Sequence, residues 1–351
     1  MKVSASQPFQ IVYSLYQHEY LGYLFESFVI HLDDKGKLTL QHQNISSKNA
    51  GEFANRLDET DYELIELMDS MQQDSVVKKF YTKGIIKPDD FFLKIYDKEK
   101  KNDLVQQEID NYLERRRSKI LERFKGNMVF EMGNDGEPAW KQIEVLEEKS
   151  TVLFHFRRNE ENTHYFPTIK YKGEKVDFQY RSSYIICKEP AWMVCCGKLY
   201  SFQKNVDGKK LQPFLNKKFI IIPKNVEETY YNKFVAPLIA SFDVYAKGFE
   251  INSEHYSPQP VLTLSELMHS SNGNLFEGKK SSPSDKEKMI FELSFKYGQF
   301  NFKADHLSPV SVSVEKKDET YTFHRVRRKL DEEKEVLNYL LKSGLPLKSS
   351  K

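Results

Sequence analysis

Apolar and polar positions alternate along much of this chain, and the period changes as the chain proceeds. Phe9-Gln10-Ile11-Val12-Tyr13-Ser14-Leu15 and the run Leu21–Leu32, dense in Phe, Tyr and Val, predict two strands. Asp33-Asp34-Lys35-Gly36-Lys37 predicts the turn that returns the chain through Leu38–Gln43. The period then lengthens to that of a helix. A short helix is expected at Asn49–Leu57. Asp61–Phe80 carries Leu64, Ile65, Leu67, Met68, Met71 and Val76 at helical spacing, with Asp58 and Asp61 as caps. Pro88 opens a helix through Phe91, Phe92 and Ile95, and Asp103–Phe124 predicts the longest helix, ended by Gly126. Met128–Met132 and Trp140–Leu146 read as strands joined through Gly133-Asn134-Asp135-Gly136, and Glu147–Ser150 reads as a short charged boundary.

From Thr151 to Pro223 the pattern becomes a strand meander. Its members are Val152–Phe156, Tyr165–Ile169, Val176–Tyr180, Tyr184–Cys187, Met193–Cys195, Leu199–Phe202 and Phe219–Ile222. Each is rich in β-branched or aromatic residues, which suit a pleated, half-buried surface, and turn residues separate them. Asn225 with Glu228 reads as a capping box for a helix that Pro237 should kink or split. Phe249–Ile251 and Val261–Leu264 predict short strands. Ser270–Lys288 reads as a polar linker. Met289–Phe295 with Gln299–Lys303, and Val310–Glu315 with Tyr321–Arg327, predict two hairpins before an amphipathic helix at Glu332–Lys342.

The expected fold class is α+β: an N-terminal antiparallel sheet with helices, followed by a β-rich meander domain with a few helices. The expected domains are residues 1–148, residues 149–330 with an exposed linker at 270–288, and a terminal helix and tail at 331–351.

Composition narrows the function classes. Aromatic residues make up 13% of the 351, with 25 Phe and 20 Tyr, enough to build cores and exclude general disorder. The 53 basic and 51 acidic residues leave a formal charge of +2, which excludes a globally basic nucleic-acid binder but allows local patches. The three cysteines, Cys187, Cys195 and Cys196, form no disulfide framework and point to a reducing compartment. Met1–Gln10 has no apolar signal core, and no run approaches the roughly 20 apolar residues of a membrane span. A cytoplasmic protein is expected.

Most candidate motifs fail on their chemistry. Gly273-Asn274-Leu275-Phe276-Glu277-Gly278-Lys279-Lys280 nearly matches a phosphate loop, but Lys280 stands where a magnesium-holding hydroxyl belongs. His18-Glu19-Tyr20-Leu21-Gly22 lacks the second His of a zinc-protease helix. The cysteines contain no Cys-x-x-Cys pair to join His155 or His164, so no metal site is expected. Three basic clusters remain: Arg115, Arg116 and Arg117 in the second half of a helix, Lys209 and Lys210 before Leu211, and Arg325, Arg327 and Arg328 at a strand end. Each is open to two readings, a solvated rim or a set of phosphate contacts.

Several strings resemble the amino-terminal region of bacterial Swi/Snf-type DEAD/DEAH-box helicase-like ATPases. They include Pro8–Gly22, Tyr112-Leu113-Glu114-Arg115-Arg116-Arg117, Val129–Gly136, Lys188-Glu189-Pro190-Ala191-Trp192, Lys209–Asn216, Phe234–Ile239 and Ser308–Val314. Together they extend over nearly the whole chain, and none is a catalytic signature. In that family a pair of RecA-like motor lobes follows and carries the nucleotide loop, the Asp-Glu box and the arginine finger. This chain has none of those motifs, nor the Cys/His zinc module of some relatives.

The resemblance therefore implies a non-catalytic accessory region, truncated or split from its motor, with no cofactor of its own. ATP and magnesium would belong to the absent motor. The implied partners are the helicase motor domains, in cis or in trans, and DNA, with no membrane. The residues implied as backbone-phosphate contacts are Arg115, Arg116, Arg117, Lys209, Lys210, Arg325, Arg327 and Arg328. The alternative is a protein-interaction scaffold without nucleic-acid binding, docking through some of its many aromatics.

Overall fold

The computed structural model describes residues 2–97, 104–179, 182–203, 206–266, 289–305 and 308–347. The chain has an α+β fold and divides into two compact units, residues 1–154 with 166–220, and residues 155–165 with 221–351.

The first unit opens with β1 (Phe9–His18), β2 (Gly22–Leu32) and β3 (Leu38–Ile45), an antiparallel meander as its alternation predicted. A 3-10 turn at Ala50–Phe53 leads to α1 (Glu59–Met71), α2 (Gln73–Phe80), α3 (Pro88–Ile95) and α4 (Leu104–Arg123). Asp58 caps α1 through a reciprocal pair of hydrogen bonds with Asp61, a capping box built from two aspartates. The single helix expected over Asp61–Phe80 is two helices. Gln72 between them is extended, at ψ 149°, and its side-chain amide donates to the Phe25 carbonyl on β2 at 3.0 Å. The apolar period crosses such a break unchanged, so it could not signal it.

Next come β4 (Val129–Glu131), β5 (Lys141–Arg158), β6 (Asn162–Tyr171), β7 (Glu174–Val176), β8 (Tyr184–Lys188), β9 (Ala191–Cys195) and β10 (Lys198–Phe202). In the first unit the strand order is β3-β2-β1-β4-β5-β10-β9-β8, with β1 parallel to β4 and β5 parallel to β10. The boundary expected at Glu147–Ser150 falls inside β5. Between Leu199 and Ser201, β10 advances two residues while its partners on β5 advance from Val145 to Lys149. This bulge turns Glu147, Glu148 and Lys149 to solvent without ending the strand.

One face of this sheet packs on the helices. Tyr13, Leu15 and Phe25 meet Leu64 and Met68 of α1 and Leu113, Ile120 and Phe124 of α4. On the opposite face Val12, Phe28, Ile30 and Phe130 form a smaller cluster, as the alternation of side chains along a strand requires.

The short α5 (Gly208–Leu211) and β11 (Ile220–Pro223) follow. The expected capping box at Asn225 is absent. Asn225 lies in a 3-10 turn, and α6 (Glu227–Tyr230) starts after Val226 with no side-chain cap. A π-turn at Tyr231–Val235 joins α6 to α7 (Ala236–Ser241). Pro237 sits in the first turn of α7, where its missing N–H costs least.

The second unit continues with β12 (Asp243–Lys247), β13 (Glu250–Glu254), β14 (Gln259–Glu266), β15 (Met289–Tyr297), β16 (Phe300–Lys303), β17 (Val310–Lys317), β18 (Thr320–Arg327) and α8 (Leu330–Lys342). Two three-stranded sheets form, in the orders β13-β18-β17 and β14-β15-β16. Leu293, Phe295, Tyr297, Phe302 and Val326 pack with Leu340 of α8. A buried polar hub lies elsewhere in this unit. Glu227 receives Arg158, the Thr163 hydroxyl at 2.7 Å and the Tyr231 hydroxyl at 3.1 Å. The linker expected at 270–288 and the Gly273–Lys280 string lie outside the described residues.

Candidate functional site

In the first unit, α4 decides what its three consecutive arginines do. Successive helical residues point about 100° apart, so Arg115 and Arg117, about 200° apart, lie on nearly opposite sides of the helix with Arg116 between them. Arg115 is exposed. Arg116 lies along the helix surface, its Nε donating to Ser70 Oγ of α1 at 2.7 Å. Arg117 turns inward. It donates to the Tyr23 carbonyl at 2.8 Å, to the Leu21 carbonyl, and to Glu114 at 2.8 Å. Arg117 therefore leaves the set of expected phosphate contacts, because its donors are spent holding the β1–β2 turn. Gly22 in that turn has φ +70°, and a Cβ there would lie 3.2 Å from Arg117 Nη2.

Arg116 is positioned by an aromatic ring. Its guanidinium carbon lies 3.5 Å from the centroid of Tyr112, one helical turn earlier. The Tyr112 hydroxyl donates to the Ser70 carbonyl at 3.1 Å, and Phe80 packs edge-on against the ring at 5.4 Å. Lys79, in the last turn of α2, brings its ammonium to 5.1 Å from the same ring. Two cations thus converge on one tyrosine, and among the described residues neither has a carboxylate partner. Arg115 and Lys119 are exposed on the adjacent part of α4. Arg123, one turn further on, is held by Glu63 through two hydrogen bonds of 2.7 and 2.6 Å.

The other expected contacts are dispersed. Lys209 pairs with Glu189 at 3.0 Å, so its charge is largely offset. Lys210 is half-buried, and desolvation lowers its pKa. Arg325 and Arg327 alternate along β18 and share one of its faces, with Arg327 exposed. Arg328 is also removed from the expected set. It is buried against Phe302 and forms a two-point pair with Glu333, with Nε at 2.9 Å. The sequence reading missed Lys79 and Tyr112. The Tyr112–Arg116 spacing of one helical turn was available, but the approach of α2 was not.

Among the described residues no three of His, Cys, Asp and Glu converge as metal ligands would. Cys187 and Cys195 are buried, and burial pushes both thiols up, Cys195 to about 11. No described helix is long and apolar enough to cross a membrane. Comparison with protein-family models, with curated proteins and with solved structures gave no match.

Proposed function

We propose that this chain is a non-catalytic accessory module of a Swi/Snf-type DNA-dependent ATPase, docking on the motor in cis or in trans and holding nucleic-acid backbone. The observation that carries the nucleic-acid part is the convergence of Lys79 and Arg116 on the Tyr112 ring, with Arg115 and Lys119 beside them. Guanidinium and ammonium groups without carboxylate partners suit phosphate oxygens, and such contacts position a duplex without reading its sequence. With total charge nearly balanced, attraction for a polyanion has to come from local patches of this kind. The link to the motor rests on the sequence resemblance alone.

The test is fluorescence anisotropy with a labelled duplex at low salt. Lys79→Gln with Arg116→Gln should weaken binding at least tenfold, and Arg325→Gln with Arg327→Gln should weaken it less. The absence of binding at low salt supports the second reading, a protein-interaction scaffold. That reading has its own observation in the second unit. Pro260 and Leu262 of β14 with Val336 and Tyr339 of α8 line an apolar groove of about 690 Å³, and Tyr339 is 73% exposed.

A further inference from the structure

A separate, polar cleft of about 560 Å³ opens in the first unit between the β1–β2 turn, α4 and the β8–β9 turn. This volume lies within the span of small-molecule sites, roughly 300–1,000 Å³. The cleft is built by one ion pair. Arg117 holds the carbonyls of Leu21 and Tyr23, while its partner Glu114 accepts the backbone N–H groups of Lys188 and Glu189. Both turns are thereby fixed to α4, and the walls between them are preorganised.

Internal pairing then leaves two charges over. Arg117 and Glu114 neutralise each other, and Lys209 pairs with Glu189. Asp110, on the α4 wall, and Lys188, on the β8–β9 wall, form no contact ion pair among the described residues, but they attract each other across the cleft as its negative and positive poles. One oxygen of Asp110 accepts the Tyr96 hydroxyl at 2.8 Å. Tyr20 lies against Tyr96, with ring centroids 5.8 Å apart, so aromatic surface flanks the carboxylate. A carboxylate beside aromatic rings suits an ammonium. Desolvation raises the pKa of Asp110, against the lowering by the Tyr96 hydroxyl and by the charges of Lys188 and Arg117. A purely anionic ligand would meet Asp110, and a purely cationic one would meet Lys188.

We propose that this cleft binds a small zwitterion, a free α-amino acid or a short peptide, with its ammonium on Asp110 beside the Tyr20–Tyr96 pair and its carboxylate on Lys188. The site is independent of the phosphate-binding face. It requires no DNA, and Lys79 and Arg116 do not line it.

Isothermal titration calorimetry on the full chain tests it, with the tripeptide Gly-Leu-Gly as probe, its N-acetylated and C-amidated forms, and free leucine. The tripeptide or leucine should give saturable heat, and the tighter of the two identifies the source. Capping either end of the tripeptide should weaken binding about tenfold or more, the scale of one charge-assisted hydrogen bond. Asp110→Asn should weaken the free tripeptide but not the acetylated one, and Lys188→Gln should weaken it but not the amidated one. The capping series uses the unaltered protein, so it decides the matter even where a variant folds poorly. Absence of saturable heat at millimolar ligand, or equal binding of free and capped peptides, overturns the proposal.

Discussion

The residue that shows the cost of burial best is Arg328. It was expected to face solvent from a basic cluster, yet its side chain is 1% exposed. Glu333 answers it with both carboxylate oxygens, and the Tyr297 hydroxyl donates to the same carboxylate at 2.6 Å. Burial and that carboxylate push the Tyr297 pKa up to about 12, so the phenol remains a donor at neutral pH. Removing one member strands the other charge in a dry site, which costs about 3–5 kcal/mol, whereas replacing both by apolar groups is often neutral. Arg328→Met should therefore destabilise the protein by that amount in urea unfolding, and Arg328→Met with Glu333→Leu should recover much of the loss. Equal loss in the single and double variants would show that the pair is not the source. A cluster of basic letters does not reveal this arrangement, because the partner, Glu333, lies outside the cluster, five residues on in the first turn of α8.

At the scale of elements, local chemistry was legible wherever it was self-contained. The Asp33–Lys37 turn, the Asp58 cap and the Pro88 start all depend on residues within one turn of each other, and all three stand. The errors lie where a distant element decides. Gln72 breaks a helix because a strand carbonyl accepts its amide, and the charges at Glu147–Lys149 ride on a bulge imposed by β10.

The β13-β18-β17 sheet shows the same dependence in its charges. His324 on β18 lies 2.6 Å from Glu254 on β13 and 3.2 Å from Glu315 on β17. Both carboxylates have lowered pKa values. Glu254 is lowered by the Tyr256 hydroxyl and then His324, and Glu315 by Lys317 and then His324. A depressed carboxylate stabilises the fold above its unfolded pKa, about 4.3, and that contribution is lost as pH falls through the folded value. The unaltered protein should therefore be more stable than Glu254→Gln/Glu315→Gln at pH 6, with the difference closing as pH falls below about 4. Chemical unfolding across that range measures it, and a gap that stays constant into acid would assign the effect to packing.

For the whole molecule, the informative quantity is what the charges add up to. With 53 cations against 51 anions, the protein has almost no long-range field to draw a polyanion in. Affinity for DNA would then have to come from local groups of cations, such as Lys79 and Arg116, which have no carboxylate partner among the described residues. The sequence displays those cations among dozens of others, and only packing sorts them. Of three adjacent arginines on α4, one is spent on carbonyls, one is braced by a tyrosine, and one is free in solvent. Counterion release turns that sorting into a number. Each neutralised phosphate contributes about −0.9 to the slope of log affinity against log salt. Lys79, Arg115, Arg116 and Lys119 together can neutralise at most four phosphates, so the slope should be no steeper than roughly −3.6. Replacing Lys79 and Arg116 by glutamine should flatten it by about 2, whereas replacing the buried Arg117 should leave the slope of any folded fraction unchanged. A slope much steeper than this would mean that cations outside the α2–α4 face, such as Arg325 and Arg327, also meet the backbone, and the interface would have to be redrawn to include them.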